Sequence, residues 1–292
     1  MNLSSFKRFS FSGGERHTIL EPSAEGGGDP NRLVAHIRSS DDLMDLMLVT
    51  DVLKRCGTQP RELVLPYLPY ARQDRATTQT SPFSLEVVAG MINSLGYEQV
   101  TIYEVHNQER TAPLIRNAVF VKATHAAVRF LDWLGWRPSD TVLLAPDKGA
   151  MARMLDVAVA VPQEMGMGRA YAEKERNPGN GHLKITGVHG DVAGKRVLVI
   201  DDICDGGATF NQLADYLFAQ EGKAPKQLAL FVAHGIFSKG FLTLRQRYDH
   251  IGTTNSFWRP SLPSYVDLGT ERYDTFLPKV IKVDFESRGV DA

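Results

Sequence analysis

The stretch that most constrains this chain runs from Arg196 to Thr209, RVLVIDDICDGGAT. Val197, Val199 and Ile200 are β-branched and no polar residue interrupts RVLVI, so the run predicts a parallel strand buried on both faces, ending ahead of Asp201 and Asp202. In open α/β sheets ligands collect outside the carboxyl ends of strands. Here that end carries Asp201 and Asp202, then the turn Asp205-Gly206-Gly207-Ala208-Thr209. Phe210, Leu213, Ala214, Leu217 and Phe218 follow at the spacing of one helix face. A glycine turn feeding a helix aims several N–H groups and the positive end of the helix dipole at one point, which suits a phosphate. The two carboxylates can accept from vicinal hydroxyls or partner a bound cation, and the ensemble describes a sugar phosphate. The plainer alternative is a strand-turn-helix with acidic residues at its solvent end.

Composition narrows the class. With 33 Lys and Arg against 34 Asp and Glu, the net charge of −1 gives no global field toward nucleic acid or an anionic membrane. Any anion site must be local. Cys56 and Cys204 are the only cysteines, and without a CxxC pattern they support neither a disulfide framework nor structural zinc. No apolar run approaches the roughly 20 residues of a membrane span, and MNLSSFKRFSFSGGERH lacks the apolar core of a signal peptide. The expectation is a soluble cytoplasmic protein with small-molecule partners and neither nucleic acid nor membrane.

A chain of 292 residues suits two domains. The first forty residues read as polar, glycine-rich loop. LMDLMLVTDVLKRCG predicts a helix closed by Gly57, ELVL a short strand, and YARQDR an arginine-bearing loop. Leu85, Val88, Ala89, Ile92 and Leu95 mark a second helix, and the strand QVTIYEV carries His106 at its end. THAAVRFLDWLGW is helical, and RPSD behind it places the boundary between domains 1–137 and 138–292, with an extreme C-terminus that can return to the first domain. TVLLAP is a strand ending at Asp147, followed by a helix that Pro162 interrupts; GRAYAEKER is a strand entering a long loop, NPGNGHLKITGVHGD. QLALFVAHGIF, FSKGFLTLRQRY and HIGTTNS read as strand, helix and last strand. This alternation predicts an α/β fold with parallel sheets flanked by helices.

In YARQDR, Arg72 and Arg75 can grip polyphosphate oxygens, while Gln73 and Asp74 can meet a base edge. The sequence LMDLMLVTDVLKR…LVLPYLPYARQDR resembles the N-terminal half of ribose-phosphate diphosphokinases, and the 201–209 stretch resembles their phosphoribosyl loop and that of type I phosphoribosyltransferases. The resemblance covers about residues 41–110 and 140–260. It implies two Rossmann-like phosphoribosyltransferase-type domains, the first for ATP, the second for ribose phosphate. It assigns ATP to Arg72, Gln73, Asp74, Arg75, Phe11, Glu15 and His106, and the ribose phosphate to Asp201, Asp202, Asp205, Gly206, Gly207, Ala208 and Thr209. It gives Mg²⁺ to His106 and Asp147 and catalysis to Lys174 and Arg176. The implied reaction is attack of an anomeric hydroxyl on the β-phosphorus of Mg-ATP, giving a 1-diphosphate and AMP, in a homo-oligomer whose sites are shared between subunits. A lysine point charge with an arginine fork suits a diphosphoryl group whose charge spreads over several oxygens. No GxxxxGK[ST] is present to support a P-loop ATPase. A phosphoribosyltransferase would share the 201–209 loop without needing YARQDR; a silent regulatory homologue would not need Lys174, Arg176, His106 and Asp147.

Several positions depart from the family pattern. Gly13 stands for a side chain of the Phe11–Glu15 run, Glu104-Val105 precede His106, and Lys148-Gly149-Ala150 follow Asp147. Gly206 replaces a threonine whose hydroxyl faces the 5-phosphate in the family, with Ala208 in place of glycine. Ribose 5-phosphate is the leading acceptor; the volume freed at Gly206 also suits a 5-phosphate that is itself esterified, as in ADP-ribose. Replacing Gln73 and Asp74 by alanine is expected to weaken ATP binding and blur discrimination from GTP. Calorimetry checks this, and unchanged nucleotide affinity would place the ATP site elsewhere.

Overall fold

The computed structural model describes residues 3, 6–20, 29–161, 166–176, 183–220, 222–240, 242–257, 265–267 and 280–283. The chain divides into two compact units, Met1–Lys122 and Ala123–Ala292. In the first, β1 (Phe6–Ser10) and β2 (Arg16–Leu20) form an antiparallel hairpin whose turn is the FSGGE run. The sequence reading had only loop here. Pairing across a short turn, with Gly14 N–H donating to Phe11 O, makes strands of segments too polar to announce themselves.

The rest of the first unit alternates: β3 (Arg32–Val34), α1 (Ser40–Arg55), β4 (Glu62–Leu65), α2 (Ser84–Ser94), β5 (Gln99–Tyr103), α3 (Gln108–Thr111) and β6 (Ala118–Val121). The strands lie side by side in the order β3-β4-β5-β6, all parallel. Ser39 caps α1 by accepting from the Asp42 N–H, and Leu46, Val49 and Leu53 pack with Leu63, Leu65 and Ile102 in the core.

The second unit begins with α4 (Thr124–Leu134), 15 residues ahead of the boundary at 137/138. Its apolar face explains the placement: Phe130 is fully buried, and its ring lies 5.9 Å from that of Phe231 on a strand of this unit. Burying such a ring contributes about 1.5–3 kcal/mol. Then come β7 (Thr141–Ala145), α5 (Met151–Ala160), β8 (Gly168–Arg176), β9 (Leu183–His189), β10 (Arg196–Cys204), α6 (Ala208–Ala219), β11 (Gln227–Gly235), α7 (Leu242–Arg245), β12 (His250–Thr254), β13 (Tyr265–Asp267) and β14 (Val280–Val283). The sheet order is β13-β14-β12-β11-β10-β7-β8-β9, parallel from β12 through to β8, with β9 and β14 added antiparallel.

Four expectations change. The strand RVLVI continues through both aspartates to Cys204, because β11 stays paired with it to Cys204↔Gly235 after the β7 ladder ends at Val199↔Leu144. Much of the expected long loop is β9, paired back on β8 with a register shift at Glu173/Lys174; Gly187 breaks the alternation that would have marked it. Among the described residues of FSKGFLTLRQRY the helix α7 spans four, and Phe237 turns left-handed at φ 48° ahead of it. HIGTTNS is not the last strand: β13 and β14 follow, and β14 pairs with it.

Candidate active site

The second unit gathers the sugar-phosphate candidates beyond the point where β7 stops. Asp202 is buried and Asp201 partly so, with the Asp201 carboxylate accepting from the Asp202 N–H at 2.8 Å. Arg153 of α5 reaches both, 3.4 Å from Asp201 Oδ1 and 3.9 Å from Asp202 Oδ2. Sequence reasoning missed this arginine, which sits 48 positions from Asp201; no local pattern marks an arginine on a helix as the partner of a distant strand. Burial, then the neighbouring Asp202 charge, push the Asp201 carboxyl well above the usual carboxylate range, against the opposing pull of Arg153.

The turn follows directly. Gly207 precedes α6 in the left-handed region, φ 77°, a conformation that favours glycine. The amides at the start of α6 have no intrahelical acceptor and are available to an anion. Asp205 is held by Ser238, whose hydroxyl donates to Asp205 Oδ1 at 2.6 Å and whose N–H donates to Asp205 O at 3.0 Å.

Asp147, Lys148, Glu173 and Lys174 line a cavity of about 480 Å³ in the same unit. Asp147 Oδ1 caps the turn after β7 by accepting from the Ala150 N–H at 3.0 Å, and Lys174 Nζ pairs with Asp147 Oδ2. The cation beside Asp147 is therefore Lys174; Lys148 turns instead to Glu173, at 3.1 Å. His189 and Lys148 together lower the Glu173 pKa. Arg176 is the last residue of β8, and its side chain lies outside the described residues.

In the first unit one cavity of about 450 Å³ is lined by Arg72, Gln73, Asp74 and Arg75 together with His106, Asn107 and Arg110. The loop and the strand-end histidine, 30 or more positions apart in sequence, thus meet. Arg110, which the sequence did not single out, lies 3.3 Å from Asp74. Tyr70 and Glu104, each just ahead of these residues, hold φ values of 62° and 40°. Such strain costs about 1–2 kcal/mol per residue and concentrates at functional loops. Phe11 and Glu15 do not line this cavity; they lie exposed at the β1–β2 turn, with the Phe11 ring 5.3 Å from Phe9.

Two family models divide the chain between them: the N-terminal domain of ribose phosphate pyrophosphokinase matches residues 3–96 and the phosphoribosyl transferase domain residues 115–240. The ribose-phosphate pyrophosphokinase of Thermococcus kodakarensis is 32% identical over 80% of this chain and 81% of its own length. That of Pyrococcus abyssi is 31% identical over 74% and 72%. The chain belongs to the ribose-phosphate pyrophosphokinase family.

A solved phosphoribosylpyrophosphate synthetase from Mycobacterium smegmatis shares the fold, with a TM-score of 0.66 at 19% identity, covering 88% of this chain and 84% of that one. As a pyrophosphokinase-family protein the chain is a diphosphotransferase built on two phosphoribosyltransferase-type domains. No helix among the described residues is long and apolar enough to cross a membrane.

The raised Asp201 pKa gives a prediction with a sign. A carboxyl that binds its proton more tightly when folded makes the unit lose stability as the pH rises from the unfolded value, about 3.9, through the folded one. Asp201→Asn removes the buried charge, so thermal melts should show a higher Tm than the native chain, by more at pH 8 than at pH 4. Equal shifts at both pH values would contradict the assignment.

Proposed function

We propose that the chain transfers the β,γ-diphosphoryl group of Mg-ATP to the anomeric hydroxyl of ribose 5-phosphate, giving phosphoribosyl diphosphate and AMP. The observation that carries this is the pairing, in one chain, of the Arg72–Arg75 cavity with the Asp201–Thr209 carboxylate-and-turn site. A phosphoribosyltransferase has use for only the second of these.

In this reading Arg72 and Arg75 hold polyphosphate, Gln73 and Asp74 the base, and Arg110 fixes Asp74 toward it. Asp201 and Asp202 accept from the sugar's vicinal hydroxyls, with Arg153 placed against both carboxylates. The turn amides take the 5-phosphate. The anomeric oxygen bonds to the β-phosphorus, the bond from that phosphorus to the α,β-bridging oxygen breaks, AMP carries away the pair, and the hydroxyl proton is released to water. Lys174 and Arg176 offset the charge that gathers on the transferred group.

Among the described residues no three His, Cys, Asp or Glu side chains are grouped to cage a metal. Mg²⁺ needs no such cage, because it keeps waters and takes one or two carboxylates plus substrate phosphates. Asp147 would hold it, and the ion would supply charge neutralisation. His106 is a poor donor for so hard a cation and is better used on phosphate oxygens. Lys174, paired with Asp147 in the free chain, would exchange that carboxylate for the incoming phosphates. Family sites shared between subunits support a homo-oligomer, with the exposed Phe11 and Glu15 as its contribution to a neighbouring site, in the cytoplasm.

A second acceptor keeps a place because of Gly206: the nearest atoms over the turn there belong to the stem of exposed Lys239, which can move. ADP-ribose offers the same anomeric hydroxyl. Phosphorus NMR of ATP, Mg²⁺ and ribose 5-phosphate with the purified chain should show AMP and a sugar 1-diphosphate in equal amounts, with kcat/KM for ADP-ribose as the comparison. Lys174→Ala should lower kcat by about 10²-fold with little change in ATP affinity. ADP as product, or no nucleotide turnover with either sugar, would overturn the reading.

A further inference from the structure

We propose that Lys239 is a substrate-binding residue that supplies the charge on the 5-phosphoryl group which the glycine turn cannot. The proposal rests on the reading that the 205–209 turn holds that group. It concerns a residue outside the 201–209 loop.

The backbone places this lysine firmly. Ile236 and Phe237 N–H both donate to Cys204 O, at 2.9 and 3.1 Å, and Ser238 ties to Asp205 through its N–H and its hydroxyl. The segment after β11 is thereby fastened to the end of β10, and residue 239 is the next in line. Phe237 makes the bend, its φ at 48° and its ring buried. A left-handed bend at a bulky residue costs about 1–2 kcal/mol, which the four bonds and the buried ring offset. A helix continuing through this segment would carry residue 239 away from the turn.

The side chain then does what the anchoring allows. A Cβ built on Gly206 would meet Cδ, Cε and Cγ of Lys239 at 3.2, 3.4 and 3.5 Å. Three successive methylenes therefore run across the face of the glycine, in the volume that a side chain at 206 would need. The two positions are complementary: the absence of a side chain at 206 admits the lysine stem. Lys239 is exposed, and its ammonium makes no hydrogen bond or ion pair among the described residues. The Asp205 carboxylate, at the start of the turn, accepts from the Ser238 hydroxyl.

Turn amides carry only partial charges, whereas a phosphoryl group brings one or two full ones. A lysine is a point charge on a rotatable stem, so it can follow a phosphate whose angle varies, which a β-branched hydroxyl cannot. The shared chemistry is a phosphoryl group on C5 of ribose, terminal in ribose 5-phosphate and esterified in ADP-ribose. The movable Lys239 stem over Gly206 suits either, and the assay must separate them.

The test uses the full chain with Lys239→Met, which keeps the stem and removes the charge, and Lys239→Arg, which restores it. Calorimetric Kd values for ribose 5-phosphate and for ADP-ribose, without ATP, are set beside KM for each sugar and for ATP. For whichever sugar the native chain binds, Lys239→Met should raise Kd and KM about tenfold to a hundredfold, the worth of one charge-assisted bond, and Lys239→Arg should recover most of it. KM for ATP should not move. If Lys239→Met binds that sugar within twofold of the native chain, the proposal fails, and turnover by the native chain would leave the functional reading intact. If the native chain binds the sugar in a Lys239-dependent way yet releases no AMP, the functional reading fails and the role of Lys239 stands. Binding of neither sugar by the native chain overturns both.

Discussion

Much of this protein follows from one register. β7, β10 and β11 run parallel and in step until Val199, where the β7–β10 ladder ends and β10 continues against β11. The strand therefore carries Asp201 and Asp202 past the end of that ladder, Asp202 buried and Asp201 partly so. Two carboxylates so placed are costly: each opposes the other's charge, and burial opposes both. Arg153 offsets part of that cost at distances too long for an ideal fork. A site that remains electrostatically uncomfortable when empty is one that a sugar's hydroxyls can relieve.

The same logic recurs at other strand ends. Tyr70 lies beyond β4, Glu104 beyond β5 and Phe237 beyond β11, each left-handed without being glycine. Each bend precedes a candidate group: Arg72 to Arg75, His106, and Lys239. Strain of this kind persists only where surrounding contacts over-determine the backbone. At Phe237 those contacts are explicit, in the bonds to Cys204 and Asp205. The parallel sheets thus set where the loops emerge, and the bends set where their side chains reach.

What the sequence disclosed was whatever local pattern encodes. β10, β7 and β11 showed as unbroken apolar runs, α1, α2 and α6 as helical stripes, and the 201–209 and 70–75 stretches as concentrated chemistry. What it withheld was pairing. β1, β2 and β9 are strands because a neighbour completes their hydrogen bonds, not because their residues alternate cleanly. FSKGFLTLRQRY looked helical because its apolar spacing was right, while its first half is held by contacts to β10 that no periodicity reports. Arg153, Arg110 and Lys239 went unnoticed for the same reason. Each gains its meaning from a partner, Asp201, Asp74 or Gly206, more than 30 positions away.

We have proposed that the end of β10 and its turn hold a ribose phosphate. A crystal structure of the chain soaked with ribose 5-phosphate tests it most directly. The account predicts phosphate density against the amides of Gly206 to Thr209, the sugar hydroxyls on Asp201 and Asp202, and the Lys239 ammonium turned to the phosphate. Ordered sugar phosphate elsewhere with this turn empty would contradict it.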